Sequence, residues 1–163
     1  MSVSPIRPRV SPAAVTLRPA DAQDCQRIWL WRNDVETRQA SFDSSPIPYE
    51  SHARWFLDSL RNPDRKIYIV LAAGEAAGMV RLDLDGQQAT VSINLAPEWR
   101  GRGVGPLALG SLAELAFGAL GIHRLLASVK PDNRASLGAF EKAGFATSRQ
   151  GMVVMLARSR HEG

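Results

Sequence analysis

The chain has little of several things that would define other protein classes. It contains one cysteine, Cys25, in 163 residues, which excludes a disulfide framework and any metal site built from several cysteines. No apolar run approaches the roughly 18 residues that a membrane span requires. The arginines near the N-terminus are not followed by the apolar segment of a secretory signal. We therefore expect a cytoplasmic protein with no membrane partner and no metal.

Long runs of one charge are also missing. The formal net charge is +4, but the Lys/Arg runs and clustered aromatic residues typical of nucleic-acid-binding segments are absent. The sequence therefore predicts no nucleic-acid partner. A mild excess of arginine suits a small ligand that carries phosphate groups.

The chain is the size of one domain. Residues 1–14 contain three prolines and no hydrophobic period, so we expect a flexible arm before a domain at 15–158 and a frayed tail at 159–163. Periodicity predicts helices at 21–33, 49–60, 106–120 and 133–143, with a loop at 34–48. Strands are predicted at 15–18, 67–72, 78–84, 88–95 and 123–129, and two more within 145–158. This order indicates a mixed α/β domain with a mostly antiparallel sheet and four helices.

A glycine-rich loop at residues 100–105, Arg-Gly-Arg-Gly-Val-Gly, stands between a predicted strand and a predicted helix. Glycines allow a ligand to approach the backbone, and the N–H groups of the following helix N-terminus have no partner within the helix. Together with the helix dipole they favour a phosphate or pyrophosphate. The Gly-Lys-Ser/Thr ending of a Walker loop is absent, and the preceding strand belongs to an antiparallel meander, which does not fit a Rossmann site.

Strand, Arg-x-x-Gly-x-Gly and helix form a pattern that resembles the acetyl-CoA signature of the GNAT superfamily of N-acetyltransferases. Residues 133–145, Asn-Arg-Ala-Ser-Leu-Gly-Ala-Phe-Glu-Lys-Ala-Gly-Phe, resemble a second segment of that family. The resemblance covers about residues 15–158 and implies a sheet that is splayed at the cofactor. It also implies that the loop backbone binds the pyrophosphate, that the end of the strand binds the pantetheine arm, and that the second segment meets the cofactor from the opposite side. The cofactor-binding residues implied in this way are Leu95, Ala96, Arg100, Gly101, Arg102, Gly103, Val104, Gly105, Asn133, Ser136 and Phe140.

The expected reaction is direct attack of an amine on the thioester carbonyl, with a proton for the leaving thiolate. Members of the family often carry a tyrosine where this chain has Phe140, and phenylalanine donates no proton. His52 and Asp83 are the candidate catalytic side chains, and a water chain is an alternative. An acid is dispensable if the thiolate of CoA leaves unaided.

The N-terminal half contains Trp31-Arg32-Asn33, Arg38, Ser41-Phe42 and His52-x-x-Trp55-Phe56, followed by Arg81 in the third predicted strand. In this pattern it resembles the GNAT branch that acetylates amino-sugars on nucleotides, as in the pseudaminic acid pathway. Its aromatic rings suit stacking, and Arg32, Arg38 and Arg81 suit a diphosphate. The candidate acceptor-binding residues are Trp31, Asn33, Arg38, Phe42, His52 and Arg81. Each also has an ordinary structural explanation, such as core packing for a tryptophan or a helix C-cap for Asn33.

Two other functions stay open at this point. One is acetylation of a protein N-terminus, as in the ribosomal-protein branch of the same family. The other is a GNAT-fold module that binds acetyl-CoA without catalysis, which the absent tyrosine would suit. The leading prediction is acetylation of a primary amine on a small molecule, and the resemblance leaves a homodimer open.

Overall fold

The computed structural model of the chain describes residues 8–161. Its seven strands are β1 (Val15–Pro19), β2 (Arg65–Ala72), β3 (Glu75–Asp85), β4 (Gln88–Leu95), β5 (Arg124–Val129), β6 (Ala146–Arg149) and β7 (Val154–Ser159). Its five α-helices are α1 (Cys25–Asn33), α2 (Val35–Ala40), α3 (Tyr49–Arg61), α4 (Val104–Phe117) and α5 (Arg134–Lys142). Every predicted strand is present, and the mixed α/β fold is confirmed.

The strands form one sheet in the order β1-β2-β3-β4-β5-β7-β6. All neighbours are antiparallel except β4 and β5, which run parallel. Residues 88–90 of β4 pair with residues 124–126 of β5, and the two strands pair nowhere else. Beyond these residues they diverge, so the main chain of residues 91–95 has no β5 partner. We call the resulting space between residues 91–95 and 127–129 the wedge.

Helices cover both faces of the sheet and bury one core. Successive side chains of a strand point to opposite faces, and β4 shows this directly. Asn94 bonds to Thr37 of α2 on one face, whereas Leu95 approaches Gly105 of α4 on the other. Helices α1 and α3 pack together, as do α4 and α5. Fully buried aliphatic side chains join these layers, among them Ile69, Val80, Leu82, Leu109, Leu112, Leu125 and Leu156.

Helix α2 differs from the sequence prediction, which placed a loop at residues 34–48. Asp34 caps this six-residue helix by accepting a hydrogen bond from the Thr37 N–H. None of its residues is buried, so the segment has no apolar face that a periodicity could reveal.

Helix α4 also begins and ends earlier than predicted. It starts at Val104, so Pro106 is its third residue, where the first turn requires no N–H from it. It ends at Phe117 with Gly118 as the C-cap. Gly121, the predicted cap, lies three residues further on, with its N–H bonded to the Gly118 carbonyl.

Residues 8–14, the described part of the predicted arm, lie against the glycine-rich loop. The Val10 N–H donates to the Arg102 carbonyl at 2.9 Å, and Pro12–Ala14 form a 3-10 turn. Residues 1–7, 162 and 163 lie outside the described part of the chain, and the domain limits stay predictions. No helix within residues 8–161 is long and apolar enough to cross a membrane.

Candidate functional site

The wedge opens into a cavity of about 620 Å³. Its walls come from β4, the glycine-rich loop with the start of α4, the end of β5, and α5, and helix α2 lies across one side. Most predicted cofactor residues line this cavity: Leu95, Arg100, Gly101, Gly103, Val104, Gly105, Asn133, Ser136 and Phe140. Residues from distant parts of the sequence therefore meet in one cleft.

The glycine-rich loop needs glycine for its shape. Gly101 and Gly103 have φ values of 73° and 80°, which side chains rarely adopt. Gly103 is the N-cap of the 14-residue helix α4, so the unpaired N–H groups of the first helical turn are at the cleft. A Cβ on Gly105 would lie 3.4 Å from that of Ala139. This cradle, residues 101–105, fits a pyrophosphate, because it offers backbone donors and its three glycines carry no side chains that would keep the phosphates away.

The end of β4 presents alternate main-chain groups to the wedge. The Ala96 N–H donates to Ala77 on β3 at 2.8 Å, and the Ala96 carbonyl accepts from the Trp99 N–H. Both polar groups of Ala96 are therefore already used. By the alternation of an antiparallel pair, Leu95 and Ile93 direct their main-chain groups away from β3 and into the wedge. The Leu95 carbonyl accepts from Arg100 Nη2 at 3.3 Å.

The α5 wall combines a capped helix start with an aromatic pair. Asn133 is the N-cap of α5 and accepts from the Ser136 N–H at 3.2 Å. Phe140 is buried and packs edge-on against Phe145, with 5.0 Å between the ring centroids. No tyrosine is among the residues that line the cavity.

The two arginines of the loop turn away from the cradle. Arg100 donates to Asp34, Glu36 and the Thr37 hydroxyl on the α2 side, at 2.8 to 2.9 Å. Burial opposes the charge of Asp34, but the bond from Arg100 and backbone donors lower the pKa of its carboxyl. Arg102 stacks over Trp99, with its Cζ 4.1 Å from the ring centroid.

A chain of hydrogen bonds fixes the orientation of Asn94 in the cavity wall. Arg100 Nη2 donates to Thr37 Oγ1, so the hydroxyl proton is available for Asn94 Oδ1, 3.1 Å away. This leaves the NH₂ group of Asn94 as the donor end. Its Nδ2 is buried and has no hydrogen-bond partner within the described part of the chain.

Beside the cavity lies a group that we call the arginine cluster: Arg32, Arg65, Arg81, Trp55 and Asp83. All three guanidinium groups face the ring of Trp55, with Arg32 at 4.6 Å and the other two at 5.5 Å from its centroid. Asp83 pairs with Arg65 and Arg81. Three cations thus lie around one ring, and only two of them pair with the carboxylate of Asp83. Burial, followed by repulsion from Arg81, lowers the pKa of Arg32.

The arginine cluster adjoins the cavity through Ser92. Arg81 Nη2 lies 3.4 Å from Ser92 Oγ, and Ser92 lines the cavity. Ser92 and Asn94 are two residues apart on β4 and therefore project from the same face.

The other predicted acceptor and catalytic side chains lie outside the set that lines the cavity. Trp31 is a core residue, and Phe42 is 63% exposed. The Asn33 amide exchanges two hydrogen bonds with the backbone of Ile47, which fixes the loop after α2. Arg38 donates to the carbonyls of Asn33 and Ser44.

His52 is buried against Phe56, and its Nε2 lies 3.0 Å from the Cys25 carbonyl oxygen. Burial lowers the pKa of His52 and so favours its neutral ring. Asp83 is held by two arginines. The catalytic roles of His52 and Asp83 stay predictions, and neither side chain lines the cavity.

Several residues that line the cavity were not predicted from the sequence: Arg9, Glu36, Thr37, Ser92 and Asn94. For the two residues of β4 a signal existed, because polar side chains alternate with apolar ones from residue 91 to 95. The other three lie in segments with no hydrophobic period.

Comparison with known proteins agrees with this architecture. Residues 14–146 match the sequence model of the Acetyltransferase (GNAT) domain family. The chain is 29% identical over 148 residues to an L-methionine sulfoximine/L-methionine sulfone acetyltransferase of Pseudomonas aeruginosa, covering 84% of this chain and 83% of the relative.

Solved structures share the fold at lower identity. An aminoglycoside acetyltransferase with paromomycin and acetyl-CoA superposes with a TM-score of 0.81 at 20% identity, covering 90% of this chain and 94% of that one. A spermidine N-acetyltransferase from Vibrio cholerae with CoA and spermine gives 0.81 at 18% identity, covering 90% and 96%. With the match over residues 14–146, the chain belongs to the GNAT acetyltransferase family and is an acetyl-CoA-dependent N-acetyltransferase.

Proposed function

We propose that this enzyme transfers the acetyl group of acetyl-CoA to a primary amine of a small anionic acceptor, and that an amino-sugar nucleotide suits it best. The observation that carries the proposal is the arginine cluster, in which three guanidinium groups surround the Trp55 ring beside the cavity and only two of them, Arg65 and Arg81, pair with Asp83. An anion at this position would relieve the repulsion between Arg32 and Arg81.

The cofactor is proposed to lie in the wedge. Its pyrophosphate would meet the backbone of residues 101–105, and its pantetheine arm would pair with the main chain of Ile93 and Leu95. The geometry of β4 supports this placement in preference to Ala96, whose N–H and carbonyl are both bonded within the chain. At Leu95 the carbonyl accepts from Arg100, and no partner of the N–H is seen within residues 8–161. The thioester would then lie near the α2 side of the cavity.

The acceptor is proposed to approach from the face of β4 that carries Ser92 and Asn94. A diphosphate at the arginine cluster and a sugar over Ser92 would bring an amine toward the wedge. The unpaired NH₂ group of Asn94 would then donate to an oxygen of the acceptor beside the amine. This placement satisfies a buried donor that would otherwise cost stability.

The chemical step needs little from side chains. The Leu95 N–H faces the wedge and would polarise the thioester carbonyl. The neutral amine would attack this carbonyl and form the C–N bond, after which the C–S bond would break. The proton that the acetylated nitrogen loses would pass to the thiolate, directly or through water, so the products are an amide and the thiol of CoA. Phe140 donates no proton, so the proposal assigns no side-chain acid.

Charge distinguishes the proposed anionic acceptor from cationic amines. Spermidine and paromomycin are polycations at neutral pH, and Arg32 and Arg81 would repel them. An amino acid such as methionine sulfoximine carries a carboxylate, so the arginine cluster would also suit it, and this is the second candidate. A protein N-terminus would require an open groove at the same place.

The test is a CoA-release assay with four acceptors: a UDP-linked amino-sugar, L-methionine sulfoximine, spermidine and an N-terminal peptide. We expect the highest kcat/KM with the nucleotide sugar. Arg81→Ala should raise the KM for this acceptor by about tenfold or more, the value of one charge-assisted hydrogen bond. Arg54→Ala, an exposed change on α3, is the matched control. A preference for spermidine, or an unchanged acceptor KM in Arg81→Ala, would refute the anionic acceptor.

A further inference from the structure

We infer that Arg9, which precedes the part of the chain matched by the family model, is a cofactor-binding residue that contacts the pyrophosphate of acetyl-CoA. The inference rests on the cofactor position proposed above. The match to the family begins at residue 14, so membership of the family says nothing about Arg9.

The segment around Arg9 is attached to the glycine-rich loop on both sides of this residue. The Val10 N–H donates to the Arg102 carbonyl at 2.9 Å. Arg102 Nε in turn donates to the Pro8 carbonyl at 3.1 Å. The two bonds flank Arg9 in the sequence, so they fix the backbone from which its side chain extends.

The side chain of Arg9 reaches the cradle itself. Its Nη1 lies 3.6 Å from the point that a Cβ on Gly103 would occupy, and Arg9 is one of the residues that line the cavity. Gly103 is the N-cap of α4. A guanidinium group at this position is within reach of an anion held by the first N–H groups of the helix.

The first turn of α4 also lacks one N–H donor, and a cation can take the place of that donor beside a phosphate. Pro106 is the third residue of α4 and has no N–H, so the first turn offers one backbone donor fewer than usual. The side chains of Arg100 and Arg102 are committed to α2 and to Trp99. The guanidinium group of Arg9, by contrast, adjoins Gly103. Arginine binds phosphate oxygens with two parallel hydrogen bonds.

The experiment compares two acetyl donors in the full chain. Acetyl-CoA carries the pyrophosphate, whereas acetyl-pantetheine does not. Arg9→Ala should lower kcat/KM for acetyl-CoA by about tenfold to a hundredfold and leave that for acetyl-pantetheine unchanged. Arg9→Lys should retain part of the effect, because it keeps the charge and loses the fork. Arg124→Ala, at the closed end of the wedge, is the control.

Three results would overturn the inference. An equal loss with both donors would indicate a structural role for the segment, and no loss would exclude a contact. Tighter binding of CoA by Arg9→Ala in calorimetry would mean that Arg9 occupies the cradle and competes with the cofactor. Gly105→Glu separates this inference from the cofactor position: undiminished CoA binding by that variant refutes the position in the wedge. Loss of CoA binding by Gly105→Glu, together with unchanged kinetics in Arg9→Ala, refutes only the role of Arg9.

Discussion

Arg100 Nη2 lies 2.8 Å from Asp34 Oδ2, and this ion pair ties the glycine-rich loop to the N-cap of α2. The opposite side of the wedge is tied to the same helix, because Lys130 Nζ donates to the Gln39 carbonyl. A six-residue helix is too short to be stable alone. Helix α2 therefore owes its position across the cavity to contacts with both edges of the wedge.

Replacing Arg100 should release this helix. Arg100→Ala removes the bonds to Asp34, Glu36 and Thr37, and we expect a loss of about 1–3 kcal/mol in the free energy of unfolding. The acceptor KM should rise more than the KM for acetyl-CoA, because α2 borders the acceptor side. Arg100→Lys, which keeps the charge, should show a smaller effect. A rise confined to the acetyl-CoA KM would instead favour a direct contact of the side chain with the cofactor.

Gly78 sets the distance between β3 and the end of β4. A Cβ at this position would lie 2.5 Å from the Asn94 carbonyl oxygen and 2.9 Å from Leu95 Cα. Gly78→Ala must therefore displace the strand end that presents its main chain to the wedge. We expect a loss of about 1–3 kcal/mol in stability and a weaker affinity for CoA, measured by calorimetry.

The control for Gly78 is a glycine with free space around it. A Cβ on Gly110, in α4, would meet no atom within 4 Å. Gly110→Ala should keep or raise the unfolding temperature, because alanine is favoured over glycine in a helix by about 1 kcal/mol. CoA affinity should stay the same. Equal effects of the two substitutions would show that the close approach at Gly78 is unimportant.

The sheet and the glycine-rich loop were predictable because local physics dictates them, whereas the α5 wall of the cleft was expected only from the family resemblance. The strand β4 was predicted with its observed limits, since residues 88–95 alternate and a turn at Asp85-Gly86 precedes them. The loop was predictable because Gly101 and Gly103 require positive φ. Both signals lie within a few residues of the feature that they predict.

The side of the cavity proposed for the acceptor was harder to predict because tertiary contacts create it. Helix α2 has no buried residue, and its position depends on Arg100, which is 63 or more residues away. On the cofactor side, Arg9 was not predicted because it lies in a segment that composition marks as a linker. Asn33 and His52 were predicted to bind the acceptor, but the side chain of each is hydrogen-bonded to the backbone of a neighbouring segment, Asn33 to Ile47 and His52 to Cys25. Sequence reasoning could name these residue types but not their partners.

His52 should make stability depend on pH. Burial, and then Arg32, lower the pKa of its imidazole, against the opposing effect of the bond to the Cys25 carbonyl. The unfolded chain, with an ordinary histidine pKa of about 6.5, therefore binds the proton more readily than the folded protein does. The contribution to stability is present above about pH 6.5 and is lost as the pH falls toward the lower pKa of the folded state.

Urea unfolding at pH 7.5 and pH 5.5 measures this effect. The wild-type protein should lose stability between the two values, and His52→Gln should lose less, because glutamine can bond to the Cys25 carbonyl and does not titrate. His123→Gln, an exposed change, is the control. Equal pH dependence in wild type and His52→Gln would show that His52 is not responsible.

Asn94 offers the sharpest test of the acceptor side. Its Nδ2 is buried without a partner in residues 8–161, so removing this donor costs the folded protein no hydrogen bond of its own. Asn94→Asp keeps the oxygen that accepts from Thr37 but replaces the NH₂ donor with an acceptor. If the NH₂ group binds an acceptor oxygen, this variant should raise the acceptor KM by about tenfold or more, while CoA affinity stays close to that of the wild type.

Thr37→Val separates the donor from the bond that orients it. This variant loses the hydroxyl that donates to Asn94 Oδ1 and leaves the amide free to rotate, so we expect a smaller rise in the acceptor KM than in Asn94→Asp. Unfolding measurements on both variants exclude a general loss of structure. An unchanged acceptor KM in Asn94→Asp would contradict the contact, and the buried donor would then serve a ligand other than the acceptor.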